Sequence, residues 1–332
     1  MQQKRYPRFS AGSWMIESFP KVQSNCKIEE LEHLLEQNAL NYQTIDYIYV
    51  VDSENKLLGV ASIKDVYSAT KNATMGEIMT TKLVYVHPST DQERIVYVAL
   101  SHGIKAVPVV DKEKHLLGII PHEVILEIFN EEVHEDTLHF GGIFHRAGKD
   151  YHTNESSVKT MIKLRVPWLI VGVLGGTVTA SIITNFEHVI STLLALAAFA
   201  PVLAYMSDAV GTQSETLAVR SIAIDPSMSQ KNYLLKEFAI AAVLAFVCGS
   251  LLSAVALVGW QDPILGLIVG ISMFLSIISA VLISTGFPFI FTKIKLDPAI
   301  ASGPFATMIS DVVTITIYFA VATLMLLTFG RI

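Results

Sequence analysis

The sequence predicts an α+β part built on an internal repeat, followed by an all-α polytopic membrane domain of five transmembrane helices. Three observations carry this. Charged residues crowd the first half of the chain and almost vanish from residues 166–330 outside short connections. Five apolar runs in the second half reach the roughly 17 to 25 residues that cross a bilayer as helix. One pattern of strand, turn, strand and helix occurs twice in the first half, about 60 residues apart. With 52% hydrophobic and 16% charged residues, the 332-residue chain departs from ordinary soluble composition, as does its mean hydropathy of +0.48.

The expected boundaries are an N-terminal segment 1–21, a repeat region 22–130, a connecting linker and helix 131–163 and a membrane domain 164–332. The start, "MQQKRYPRFS", is basic but has no apolar core of the kind a secretory signal needs, so the first half is expected to stay in the cytoplasm. Cys26 and Cys248 show no pairing pattern and no CxxC, which argues against a disulfide framework and a zinc knuckle. A net charge of −6 without a Lys/Arg block argues against nucleic acid, since phosphate neutralisation needs a basic surface.

The repeats are "IDYIYVVDSENKLLGVASIKDVYSA" and "IKAVPVVDKEKHLLGIIPHEVILEI", each preceded by an amphipathic helix, "KIEELEHLLEQNA" and "DQERIVYVALSHG". Each reads as a strand ending in "VVD", a polar turn, a second strand opening on "LLG", and a helix. The pattern resembles a pair of CBS domains, a module that in many families binds adenine nucleotides. On that resemblance Ser62 and Asp65 fit the G-x-x-[ST]-x-x-[ND] pattern in which the acid commonly holds the ribose. The second copy has Pro121 and Val124 at those places, so one site per pair for ATP or another adenine nucleotide is expected, against the alternative of a purely structural pair.

After the repeats, "EEVHEDTLHFGGIFHRAGKDYH" is rich in acids and histidines. It reads either as a solvated linker or as a regulatory divalent-cation surface carried by Glu131, Glu132, Glu135 and Asp136, because oxygen-only carboxylate sets suit Mg²⁺ or Ca²⁺. His134, His139, His145 and His152 have no recognisable metal-ligand spacing.

The apolar runs cover about Val166–Ile183, Val189–Val210, Phe238–Val258, Ile264–Phe291 and Gly303–Phe329. The connections "TNFEH" and "GWQDP" carry no Lys or Arg, whereas the alternate flanks carry Lys159, Lys163 and Arg165, then Arg220, Lys231 and Lys236, then Lys293 and Lys295. This positive-inside pattern puts the repeats inside the cell and the C-terminus outside, in the plasma (inner) membrane, although Arg331 weakens the last boundary. Trp168 and Trp260 stand near run ends, where aromatic belts lie.

Two runs are not plain lipid-facing helices. In "APVLAYMSDAVGTQSETLAVR", Asp208, Thr212 and Glu215 stand at i, i+4 and i+7, a spacing that puts both acids on one helical face. In the last run Gly303, Thr307, Ser310, Asp311, Thr314 and Tyr318 follow one polar stripe. Helix packing accounts for small and hydroxylic residues. It accounts less well for the acids, because a carboxylate in the membrane costs about 2.5–3.5 kcal/mol even on the lenient insertion scale and no membrane-embedded Lys or Arg is available. A bound cation is the simpler compensation.

Taken together with "LRVPWLIVGVLGG", "PVLAYMSDAVGTQSETLAVRSIA" and "LDPAIASGPFATMISDVVTITIYF", the chain resembles the MgtE family of magnesium channels over residues from about 25 to 329. The resemblance implies a homodimer with five spans per subunit and a pore near the two-fold axis, closed by cytosolic Mg²⁺. Asp311 then matches the aspartate that binds the permeating ion, with Thr307, Ser310 and Thr314 offering oxygens to its water shell. Two departures stand out: no N-terminal helical domain precedes the repeats as it does in many members, and Asp208–Ala209 stands where many have Gly-Asn. The alternatives are transport of Co²⁺, Mn²⁺ or Zn²⁺, for which Met206 is the one soft-ligand hint, a CBS-regulated intramembrane enzyme, and a membrane-anchored nucleotide sensor. The enzyme reading lacks a ligand set, since the one "HE", His122–Glu123, is followed by "VIL" in a soluble repeat.

Overall fold

The computed structural model describes residues 6–143, 157–225, 228–294 and 303–331. It divides into two compact units, Met1–Val133 and His134–Ile332.

The first unit is α+β. Helix α1 (Ala11–Trp14) leads to strand β1 (Lys21–Gln23) and helix α2 (Ile28–Asn38), which buries Ile28, Leu31 and Leu35 at helical spacing. Strands β2 (Tyr47–Val51) and β3 (Leu57–Ser62) form an antiparallel hairpin, and β1 adds to β2 in parallel. Helices α3 (Ile63–Ser68) and α4 (Met75–Ile78) complete the first copy. The second copy holds α5 (Gln92–His102), the antiparallel pair β4 (Ala106–Val110) and β5 (Leu116–Pro121), and the first part of α6 (His122–Phe140), whose residues from His134 on belong to the second unit.

The repeated "VVD" has a mechanical reason. The Asp52 carboxylate accepts the backbone N–H groups of Glu54 (2.9 Å) and Lys56 (2.8 Å), and Asp111 does the same for Glu113 (3.0 Å) and His115 (2.8 Å). Each acid thereby closes its hairpin turn from the side chain, and each turn holds one residue at positive φ, Asn55 at 65° and Lys114 at 69°. Both hairpins also slip register at the same place, between Val50 and Val51 and between Val109 and Val110. The two turns clasp each other: Leu57 N–H donates to Lys114 O at 3.0 Å and Leu116 N–H to Asn55 O at 2.9 Å.

Residues 11–16, which the sequence reading assigns to an N-terminal segment, pair with the second copy. Ala11 N–H reaches Thr90 O, Gly12 N–H reaches Pro88 O, and Ile16 bridges Ile119. The first copy receives the same service from α4 and Thr80, which bridges Val60. The first copy is thus completed by the segment that follows α3, whereas the second is completed by the segment that precedes the first copy, a pairing that periodicity alone does not reveal.

Among the described residues, the second unit has five helices long and apolar enough to cross a membrane: α7 (Val158–Asn185), α9 (Ala195–Ile224), α10 (Gln230–Trp260), α11 (Pro263–Lys293) and α12 (Pro304–Thr328), with the short α8 (Glu187–Thr192) between the first two. Helices α7, α10 and α11 run beyond their apolar stretches at both ends, with Ser157 capping α7 and Ser229 capping α10, whereas the expected run Val189–Val210 is divided between α8 and α9 and α12 lies just within its run. Helix α11 is the centre, with 56% of its hydrophobic window buried, against 6% for α7. Tyr318 and Phe319 of α12 fill the core, and the Tyr318 hydroxyl donates to Leu196 O at 2.9 Å.

Arg331, out of place in the charge pattern, is paired. Its guanidinium donates to both carboxylate oxygens of Asp262 at 2.5 and 3.2 Å, while Asp262 also caps α11 through Ile264 and Leu265 N–H. That pairing holds the Asp262 carboxyl below the usual aspartate range.

Candidate cation site on two membrane helices

The acids singled out from sequence lie on α9 and α12, which pack together in the second unit. Asp208 accepts a hydrogen bond from the Thr307 hydroxyl at 2.8 Å, tying the two helices side chain to side chain. Glu215, two turns further along α9 and 1% exposed, accepts the backbone N–H of Gly303, the residue that opens α12. Its Oε1 has no hydrogen-bond partner. Asp311 stands one turn beyond Thr307, half-buried and close enough to Asp208 for the two charges to interact.

Asp311 lines a cavity of about 420 Å³ whose walls come from α7 (Gly176, Thr179, Ala180), α8 (Ile190), α9 (Ala197, Pro201, Ala204) and α12 (Ile315, Phe319). It is the one ionisable residue in that lining. Pro201 matters here. Proline has no N–H, so the carbonyl of Ala197 four residues earlier loses its usual helical donor, and both residues face the cavity. A carboxylate and a freed carbonyl are hard oxygen groups of the kind Mg²⁺ and Ca²⁺ take. Sequence reasoning passed over Pro201; its position inside an apolar run was the available signal.

Other residues of the expected stripe go elsewhere. Ser310 and Thr314 are buried, their hydroxyls have no partner among the described residues, and neither belongs to the lining of the Asp311 cavity. Thr212 is exposed. Four residues advance a helix by about 40° past a full turn while seven fall about 20° short of two, so Thr212 and Glu215 diverge from Asp208 in opposite senses, and the neighbouring helices bury only Glu215.

In the first unit Ser62 and Asp65 form a capping box on α3. Asp65 accepts Ser62 N–H at 3.1 Å and the Ser62 hydroxyl at 2.6 Å, and Asp65 N–H returns to Ser62 Oγ at 3.2 Å. The Ser62 hydroxyl and N–H hold the Asp65 carboxyl below its ordinary value. Pro121 and Val124 give the second copy no such box. Glu131, Glu132, Glu135 and Asp136 all lie on α6, so the first part of the expected linker is helical. Glu132 accepts from Gln92 at 2.5 Å, and Gln92 accepts the Trp14 indole N–H at 2.8 Å. His139 lies 4.0 Å from Glu135. Residues 144–156 of that linker, with His145 and His152, lie outside the described residues.

Among the described residues, ligand atoms of three acidic or histidine side chains come within 4.8 Å of one another at Asp111, Glu113 and His115. Burial raises the Asp111 carboxyl, but the hydrogen bonds from His115 outweigh it and leave it lowered. This cluster is the surface of the second hairpin turn, and its acid is already spent on closing that turn.

Comparison with known proteins agrees with both units. The MgtE family, described as a divalent cation transporter, matches residues 200–321, and the CBS domain matches residues 11–72 and 75–131. The magnesium transporter MgtE of Thermus thermophilus is 34% identical over 325 residues, covering 97% of this chain and 71% of that protein. Those of Enterococcus faecalis and Bacillus subtilis are 33% and 30% identical, each across 96% of this chain and 70% of theirs. Among solved structures, the cytosolic domain of the Mg²⁺ channel MgtE in complex with ATP is 35% identical over 37% of this chain and 50% of that one, with a TM-score of 0.36.

Proposed function

The chain belongs to the MgtE family of divalent cation transporters, and from that premise we propose that it carries Mg²⁺ across the plasma membrane along a path on which Asp311 is the ion-binding group. The observation that carries this reading is a single carboxylate set into an otherwise uncharged membrane cavity. Such a group must be matched by a cation or lose its charge. Mg²⁺ sheds water reluctantly and takes octahedral oxygen ligation, so Asp311 holds the ion through its water shell, beside Thr179 and Ala197 of the same cavity lining. Asp208 and Thr307 adjust the field from one turn away.

Two copies form the transporting unit. Helix α7 leaves most of its apolar surface uncovered by its own chain, which suits both lipid and a second subunit. The repeats lie in the cytoplasm and the C-terminus outside, as the Lys and Arg flanks require. Cytosolic Mg²⁺ closes the path by neutralising acids that include Glu131, Glu132, Glu135 and Asp136, and an adenine nucleotide bound at Ser62 and Asp65 modulates that response.

One experiment tests the core of this reading. In proteoliposomes, Mg²⁺ uptake should be abolished by Asp311→Ala in a protein that remains folded, and uptake by the unaltered protein should fall when millimolar Mg²⁺ is placed on the repeat side. Undiminished uptake by Asp311→Ala puts the ion path elsewhere; uptake indifferent to Mg²⁺ on that side removes the gating.

A further inference from the structure

Its spacing groups Glu215 with the pore acids, yet its surroundings are different. It is almost wholly buried, it is absent from the lining of the Asp311 cavity, and its carboxylate receives the N–H of Gly303. Gly303 has φ 72°, a conformation that favours glycine, and a Cβ there would lie 2.7 Å from Phe140 O. The N-cap residue of α12 is therefore wedged between Phe140 O, at the end of α6, and the Glu215 carboxylate of α9.

The spacing along α12 extends the observation. Gly303, Thr307 and Asp311 stand at i, i+4 and i+8, successive turns of one face. The first is tied to Glu215 and the second to Asp208 at 2.8 Å, while the third faces the cavity. A carboxylate suits the lowest tie because the start of a long helix carries about half a positive charge, and a buried one such as Glu215 meets it in a low local dielectric.

We infer that Glu215 is a positioning residue: it anchors the first turn of α12 and so sets the height at which Asp311 meets the ion. The inference rests on the reading of Asp311 as the ion-binding group. What it needs from Glu215 is reach and a hydrogen-bond acceptor, rather than charge on the ion path.

Two conservative variants separate those requirements. Glu215→Gln keeps the length and an acceptor oxygen but removes the charge, whereas Glu215→Asp keeps the charge and withdraws it by one carbon–carbon bond, about 1.5 Å. Mg²⁺ uptake by the full-length protein in proteoliposomes, measured as maximal rate and half-saturating concentration, should stay within about two-fold for Glu215→Gln. For Glu215→Asp the half-saturating concentration should rise about ten-fold. Gly303→Ala, which pushes the same turn from the other side, should resemble Glu215→Asp. The reverse order, with Gln impaired and Asp normal, would show that the charge itself serves the ion and would overturn the inference. Normal uptake by both Glu215→Asp and Gly303→Ala overturns it equally. Asp311→Ala measured alongside keeps the two readings apart: uptake by that variant defeats the ion path, whereas parity between the Glu215 variants defeats only the anchor.

Discussion

Asp208 is where two roles can be told apart by magnitude. Its carboxylate does two things: it accepts the Thr307 hydroxyl at 2.8 Å, and it places a second negative charge near Asp311, the group proposed to bind the ion. Thr307 and Asp311 are four residues apart on α12, about 6 Å of rise, so an ion held by Asp311 lies roughly 8 Å from Asp208. At an effective dielectric constant of about 20, a unit charge and a divalent ion at that distance interact by about 4 kcal/mol. Screening over a Debye length of about 8 Å reduces this to about 1.5 kcal/mol in a wet path, a factor of about ten in apparent affinity. Asp208→Asn and Asp208→Ala should therefore raise the half-saturating Mg²⁺ concentration by the same factor, about ten, and both should still transport. They should differ in stability. Asparagine keeps a neutral acceptor for Thr307, whereas alanine removes a charge-assisted bond of about 1.5–3 kcal/mol and should lower the thermal midpoint more. Competition of Mg²⁺ uptake by Mn²⁺ and Co²⁺ should shift equally in the two variants, because the field and not the tie sets the preference among ions. If Asp208→Asn is as inactive as Asp311→Ala, Asp208 is itself the ion-binding group and the assignment of roles is wrong.

Two further outcomes follow from the same structure. Asp65→Ala should lower adenine-nucleotide affinity in calorimetry about ten-fold, and Val124→Ala should leave it unchanged; no nucleotide heat from the unaltered protein would leave Asp65 with its capping role alone. Asp262→Ala removes both the cap of α11, about 1 kcal/mol, and the Arg331 pair, up to about 1 kcal/mol, whereas Asp262→Asn keeps the cap. Because its carboxyl sits below the ordinary aspartate range, the Arg331 contribution is complete above about pH 5 and is lost as the pH falls through the depressed value. Thermal midpoints of the unaltered protein and Arg331→Ala should converge in acid, and a constant difference down to about pH 2 would contradict this.

Much of this protein can be read without coordinates, for local reasons. The aspartates of "VVD" close their own turns, so the repeat declares two hairpins wherever they are found, and a run of some twenty apolar residues has few soluble solutions. The acids of α9 and α12 declare themselves because a membrane offers no neutral way to hold a charge. What each acid does is settled by neighbours far away in the chain. Helical spacing fixes the angle between Asp208, Thr212 and Glu215 but not which side another helix covers; the start of α12 arrives over Glu215, and Thr212 is left outside. On α12 the polar stripe divides because α7 and α9 leave a cavity beside Asp311, while Ser310 and Thr314 turn into the packed core. The same holds in the first unit, where residues 11–16 cross to the second copy through backbone hydrogen bonds, which leave no mark on side-chain periodicity. Local chemistry chooses the groups; only packing decides whether a carboxylate meets a cation, a hydroxyl or the start of a helix.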